Sequence, residues 1–181
     1  MTEKIILAGF GGQGMMLLGK LLAQAAMADS LYVTYFPSYG TEVRGGTAVY
    51  HLVISSEEIF SPLIEEADTL IVMNQPSYQK YKEMIKPDGL LLLNTSMIKF
   101  DYLPDVKIYT IPATEIASNL GNVLVSNIVM LGAYLTIKNL FSTENILEQL
   151  KISLSGRKKD LLDINKQALE RGMQAINSLT V

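Results

Sequence analysis

Lys4-Ile-Ile-Leu-Ala-Gly-Phe-Gly-Gly-Gln-Gly14 is the stretch that decides the fold. Ile5 to Ala8 is an unbroken apolar run ending at glycines, the mark of a strand buried on both faces. Residues Gln13 to Ala28 then carry Leu17, Leu21 and Ala25 at helical spacing. A buried strand, a glycine turn and a helix in that order open an α/β domain whose ligands meet the ends of its strands.

Working outward, Leu31–Phe36 and Thr47–Ile54 read as strands two and three, rich in β-branched and aromatic residues, with a turn-like stretch from Pro37 to Gly46 between them. Thr69–Met73 and Gly89–Leu93 are short apolar runs of the buried-strand type. Gln75 to Ile85 between them reads as a helix closed by Pro87-Asp88-Gly89. Val106–Ile111 is a further strand stopped at Pro112, and from Ala113 the pattern is helical, with breaks near Gly121, Asn139 and Gly156. This order predicts an α/β fold, a Rossmann-like, doubly wound and mostly parallel sheet with a helical C-terminal part, in one domain spanning residues 1–181.

Composition narrows the function. Of 181 residues 49% are apolar and only 18% charged, against about 25% charged in an average globular chain. Either part of the surface is covered by other protein, or a large buried parallel sheet raises the apolar share. A net charge of −3 supplies no basic field for nucleic acid. With no cysteine and one histidine, His51, the chain lacks the ligands for cysteinyl iron–sulfur clusters, cysteine-bound zinc or a histidine-rich metal site. The N-terminal apolar stretch is too short for a signal peptide, and Val123–Leu135 falls short of a membrane span. The expectation is a cytoplasmic protein.

Gly9-Phe-Gly-Gly-Gln-Gly14 fits the G-x-G-x-x-G pattern of dinucleotide sites. That reading also needs a carboxylate where strand two ends, and Tyr35-Phe36-Pro37-Ser38 has none. Gly14 to Lys20 nearly spells a phosphate-binding P-loop, but Leu21 replaces the metal-holding Ser or Thr. A free-standing dinucleotide-binding, Rossmann-type oxidoreductase and a purely structural scaffold subunit stay open as alternatives, beside an anion or cofactor-edge contact and glycines that merely let the helix pack closely. The join Pro37–Gly46 is longer than the usual 2–6 residues, which favours a functional role. Its Arg44 suits phosphate or carboxylate, unless it simply pairs with Glu42 in a tight turn.

Gly9–Gly14, followed by Gly19, Leu22 and Ala25-Ala26, resembles the gamma subunits of 2-oxoacid:acceptor oxidoreductases, as does Ser38-Tyr-Gly-Thr-Glu-Val-Arg-Gly-Gly46. The likeness continues through Ser61-Pro62, Ala67-Asp68, Asn127 and Leu131-Gly132-Ala133. The resemblance implies a complex that converts a 2-oxoacid to its acyl-CoA and reduces ferredoxin. The loop's form favours the 2-oxoglutarate or branched-chain type. Thiamine diphosphate, Mg²⁺ and iron–sulfur clusters would sit on alpha, beta and ferredoxin-like delta subunits. This chain would be a lid contacting coenzyme A, inactive when isolated and then prone to self-association. No catalytic residue or metal ligand is assigned to it. The candidate binding residues are Gly11, Gly12, Gln13, Gly14, Ser38, Tyr39, Glu42, Arg44, Gly45 and Gly46.

Two single residues and one basic run stand apart. His51 lies mid-strand and reads as a half-buried structural histidine. Asn127 in an apolar helix requires a hydrogen-bond partner. Arg157-Lys158-Lys159, near a helix start, reads as a solvated cluster or a contact for an acidic partner or a phosphate.

Overall fold

The computed structural model describes residues 1–39, 46–154 and 159–176. Its strands are β1 (Thr2–Phe10), β2 (Tyr32–Tyr39), β3 (Thr47–Ser55), β4 (Ala67–Val72), β5 (Ile85–Asn94) and β6 (Lys107–Ile111). Its helices are α1 (Met15–Ala28), α2 (Gln75–Tyr81), α3 (Ala113–Asn119), α4 (Ser126–Lys138), α5 (Thr143–Ser153) and α6 (Lys159–Ile176). The strands form one sheet in the order β2-β3-β1-β4-β5-β6.

The three pairings from β1 through β6 are parallel, as buried β-strand runs joined by crossovers require. β3 is the exception, lying antiparallel between β1 and β2. β1 and β2 therefore point the same way without touching. Phe10 pairs with Thr47, and Tyr39 pairs with Ala48, so the ends of β1 and β2 share one sheet edge with the start of β3.

The two faces are covered unequally. Ile5, Leu7, Tyr50, Leu52 and Leu92 face a thick layer drawn from α1, α3, α4, α5 and α6. Ile6, Ala8, Val53, Leu70 and Leu91 face only α2, through Tyr78 and Tyr81, and loop residues such as Ile64 and Ile98. Doubly wound is thus correct in kind but lopsided in degree. The thick side is held by α4 crossing α6 at Gly132 and Gly172. A Cβ on either would run into a carbonyl oxygen of the facing helix, Leu169 or Val129.

Some boundaries differ from the sequence reading. Pro37–Tyr39 belong to β2 rather than to the turn, because the edge strand offers proline a position that needs no donor. The helix read to Ile85 ends at Tyr81 and tightens into a 3₁₀ turn over Lys82–Met84. Pro87-Asp88-Gly89 lies inside β5, where an irregularity between Ala67 and Thr69 of β4 absorbs it. Asp88 adopts φ 60° there and donates its N–H to the Asp105 carbonyl at 2.6 Å. The break near Gly156 and the residues Arg157 and Lys158 lie outside the described residues.

Candidate functional site

The turn after β1 needs left-handed backbone at Gly12, φ 96°, and at Gly14, φ 74°, where glycine pays no Cβ penalty. Gln13 folds back into this turn. Its Oε1 accepts from the Phe10 N–H at 2.7 Å and from Asn74 Nδ2 at 2.7 Å, while its own N–H donates to the Phe10 carbonyl at 3.1 Å. Asn74 is buried where β4 gives way to α2, and its Oδ1 caps that helix by accepting from the Ser77 N–H at 3.0 Å. On the opposite side Asn127, near the start of α4, donates Nδ2 to the Gly14 carbonyl at 2.9 Å. Two buried asparagines therefore pin the loop from the two neighbouring elements.

Pinning leaves the outer edge of the loop free. Gly11 and Gly12 are exposed, and a Cβ on Gly12 would meet nothing within 4 Å. Behind them α1 begins at Gly14 with no side-chain cap and no acidic residue in its first turn. Its first N–H groups thus present the positive end of the helix dipole. A cleft of about 370 Å³ opens beside this end, lined by Phe10, Met16, Leu17 and Tyr50 with Gly11 and Gly12. Tyr50 stacks on Tyr35 with ring centroids 5.6 Å apart, and the Tyr35 hydroxyl donates to the Met16 carbonyl at 3.1 Å. The tyrosine pair fixes one wall against α1. The combination suits a ligand with an anionic group for the N–H groups and an apolar portion for the wall.

The sequence-predicted residues divide three ways. Gly11, Gly12, Gln13 and Gly14 share the loop, and Ser38 and Gly46 lie half-buried at the same sheet edge. Tyr39 ends β2 there. Glu42, Arg44 and Gly45 lie outside the described residues. The Gln13 oxygen is already occupied within the loop, so Gln13 shapes the site. Asn74 escaped the sequence reading, although an Asn ahead of Gln75-Pro76 after a strand is a helix-start signal. Tyr35 and Tyr50 also escaped, since nothing local marks two strand tyrosines as stacked.

Two alternative readings lose their geometry. Gly19 and Lys20 lie within α1, so no P-loop forms. In a dinucleotide fold the ribose carboxylate ends the strand beside β1, but the antiparallel β3 occupies that position. Among the described residues, no group of three His, Asp or Glu side chains is placed to hold a metal ion. No helix among them is long and apolar enough to cross a membrane.

His51 is more deeply placed than the half-buried position read from the sequence. It is buried, and its Nδ1 accepts from the Ile64 N–H at 3.1 Å, which places the ring proton on Nε2. Burial pushes its pKa below the ordinary imidazole range. The unfolded chain therefore binds the proton more readily than the folded one, and stability falls as pH drops below about 6.5. Thermal melts should show a lower Tm at about pH 5.5 than at about pH 7.5, with part of that slope lost in His51→Asn, whose Oδ1 preserves the acceptor.

Residues 4–175 match the family described as pyruvate ferredoxin/flavodoxin oxidoreductase. The chain is 38% identical over 172 residues to the 2-oxoglutarate synthase subunit KorC of Methanocaldococcus jannaschii, covering 92% of each. It is 34% identical over 170 residues to the ketoisovalerate oxidoreductase subunit VorA of Methanothermobacter marburgensis, covering 93% of this chain but 35% of that one. The chain thus spans about a third of the length of the VorA relatives and nearly all of KorC. Among solved structures, the 2-oxoglutarate:ferredoxin oxidoreductase from Magnetococcus marinus, with 2-oxoglutarate, coenzyme A and succinyl-CoA bound, superposes with a TM-score of 0.91. The identity is 26%, covering 99% of this chain and 32% of that chain. The gamma subunit of a keto/oxoacid ferredoxin oxidoreductase from Geobacter sulfurreducens PCA shares the fold, with a TM-score of 0.87 over 100% of this chain and 99% of that one at 24% identity.

Proposed function

The chain belongs to the pyruvate ferredoxin/flavodoxin oxidoreductase family, and from that membership we propose that it is the gamma subunit of a 2-oxoacid:ferredoxin oxidoreductase, receiving coenzyme A at its glycine loop. The observation that carries the site is the uncapped start of α1 behind the open Gly11-Gly12 edge and beside an apolar cleft. Coenzyme A combines phosphates with a largely uncharged arm, matching the two halves of that site. Arg44, on the segment joining β2 to β3, would add a cation for a phosphate.

In this reading the chain supplies no acid, base or electron carrier. Its backbone N–H groups hold an anion, Gln13, Asn74 and Asn127 keep the loop in shape, and Tyr50 with Met16 limits water on the apolar side. With no cysteine in the chain, the iron–sulfur clusters belong to partner subunits, as does thiamine diphosphate with its Mg²⁺. The complex would decarboxylate a 2-oxoacid, form its acyl-CoA and pass electrons to ferredoxin. The 2-oxoglutarate and branched-chain acids are the favoured substrates, because KorC and VorA are named for them. A cytoplasmic location accords with ferredoxin as acceptor.

Gly11→Asp tests the site. The position is exposed, and the added carboxylate would repel an anion at the start of α1. In the reconstituted complex the apparent KM for coenzyme A should rise about tenfold while the KM for the 2-oxoacid stays put. Arg44→Ala should move the same constant. Normal assembly with an unchanged KM for coenzyme A in both variants would leave only a scaffolding role.

A further inference from the structure

Ser56 to Glu66 joins β3 to β4 on the thinly covered face, and its centre reads Glu57-Glu58-Ile59-Phe60-Ser61-Pro62-Leu63-Ile64-Glu65-Glu66. Two isoleucines hold it down. Ile64 is buried in the core of that face, with its N–H on His51, and Ile59 packs against the same core. The Ser55 hydroxyl accepts from the Glu57 N–H at 3.0 Å and the Ser61 hydroxyl from the Leu63 N–H at 3.3 Å. The two large apolar side chains between the anchors point the other way. Phe60 is 93% exposed and Leu63 is 59% exposed.

A tethered loop that presents a phenylalanine to water has the form of an interface anchor, since such side chains are hot spots when they fill a pocket. Its charge says what kind of pocket. Glu57, Glu58, Glu65 and Glu66 flank the tip, all exposed, with no ion pair to any of them among the described residues and no cation within the loop. Two copies meeting through this loop would oppose eight carboxylates, and an anionic lipid surface would repel it. We propose that the loop docks into an apolar pocket bordered by Lys or Arg side chains on a different subunit of the complex.

One loop covers less than the roughly 800 Å² per partner of a stable interface. Further apolar surface is available at Tyr102, 83% exposed, and Phe100, which line a cleft with Val106 and Ile108 of the same core. The inference rests on the reading of the chain as a subunit, but not on coenzyme A contact.

The test uses the complex purified from cells through a tag on this chain, with photoreactive p-benzoylphenylalanine installed in place of Phe60. The crosslink should map to another subunit, at an apolar segment bordered by basic residues. Phe60→Ala should weaken retention of the chain about 30-fold at every salt concentration. Changing the four glutamates to glutamine should weaken it about tenfold at low salt and far less at high salt. Circular dichroism melts matching wild type would separate these losses from unfolding. A crosslink to a second copy, no crosslink while the chain stays in the complex, or unchanged retention of both variants would overturn the proposal. A chain that purifies alone would overturn the subunit reading along with it, whereas failure of the Gly11→Asp assay would leave it intact.

Discussion

Replacing Gly172 with alanine is expected to cost about 3 kcal/mol of stability, lowering Tm by roughly 6–12 °C. α4 and α6 approach so closely that the new Cβ would occupy the space of the Val129 carbonyl, backbone that cannot rotate aside. Gly132 stands in the mirrored relation to the Leu169 carbonyl, so Gly132→Ala should cost a similar amount. The double variant should cost less than the sum, because one separation of the helices relieves both clashes. Gln174→Ala, on the exposed side of α6, should change stability by less than about 0.5 kcal/mol. Urea unfolding followed by circular dichroism reads all four. No loss, or a gain, at Gly172 would show that helix propensity, which favours alanine over glycine, outweighs the crossing.

The second large effect lies at the opposite end of the sheet from the glycine loop. Glu3 of β1 is buried, accepts from the Thr69 hydroxyl at 2.6 Å and pairs with Lys138 Nζ at 2.9 Å. Lys138 lies in the last turn of α4, where a cation also suits the helix dipole. Lys138→Met would leave the carboxylate nearly dry and without its cation, at about 3 kcal/mol. Glu3→Gln in the same background should recover part of the loss, since a neutral amide is cheaper to bury than an unpaired charge. A double-mutant cycle isolates the coupling, and a cycle that closes at zero would mean that water already screens the pair.

How far the sequence disclosed this molecule depends on how local each signal was. The run from Lys4 to Gly14 announced a buried strand, a turn and a helix start, because periodicity and glycine placement are written within ten residues of one another. The antiparallel insertion of β3 was not legible: Thr47–Ser55 is apolar on both faces and names no neighbour. Pro87-Asp88-Gly89 looked like a stop, yet the strand passes it as an irregularity and resumes pairing with β4 at Leu90. At the site, the glycines could be read but their supports could not. Asn127 announced only that it needed a partner, and that partner, Gly14, lies 113 residues away. Gln13 drew notice as a polar residue among glycines, but only the fold shows its oxygen turned back toward Phe10 and Asn74.

The central place of β1 also bears on how the chain is made. β1 leaves the ribosome before either of its neighbours, and its pairing waits for β3 and β4, the latter ending at Val72. α1 follows it with Leu18, Leu21 and Leu22 fully buried in a core shared with α4 and α5, which end at Lys138 and Ser153. At about 5–20 residues per second, that oily face stays uncovered for many seconds of translation. A nascent chain halted before α5 would lack two of the five helices that cover the thick side of the sheet. Such a chain is a natural client for a holding chaperone, and release from it should track completion of the last two helices rather than of the sheet.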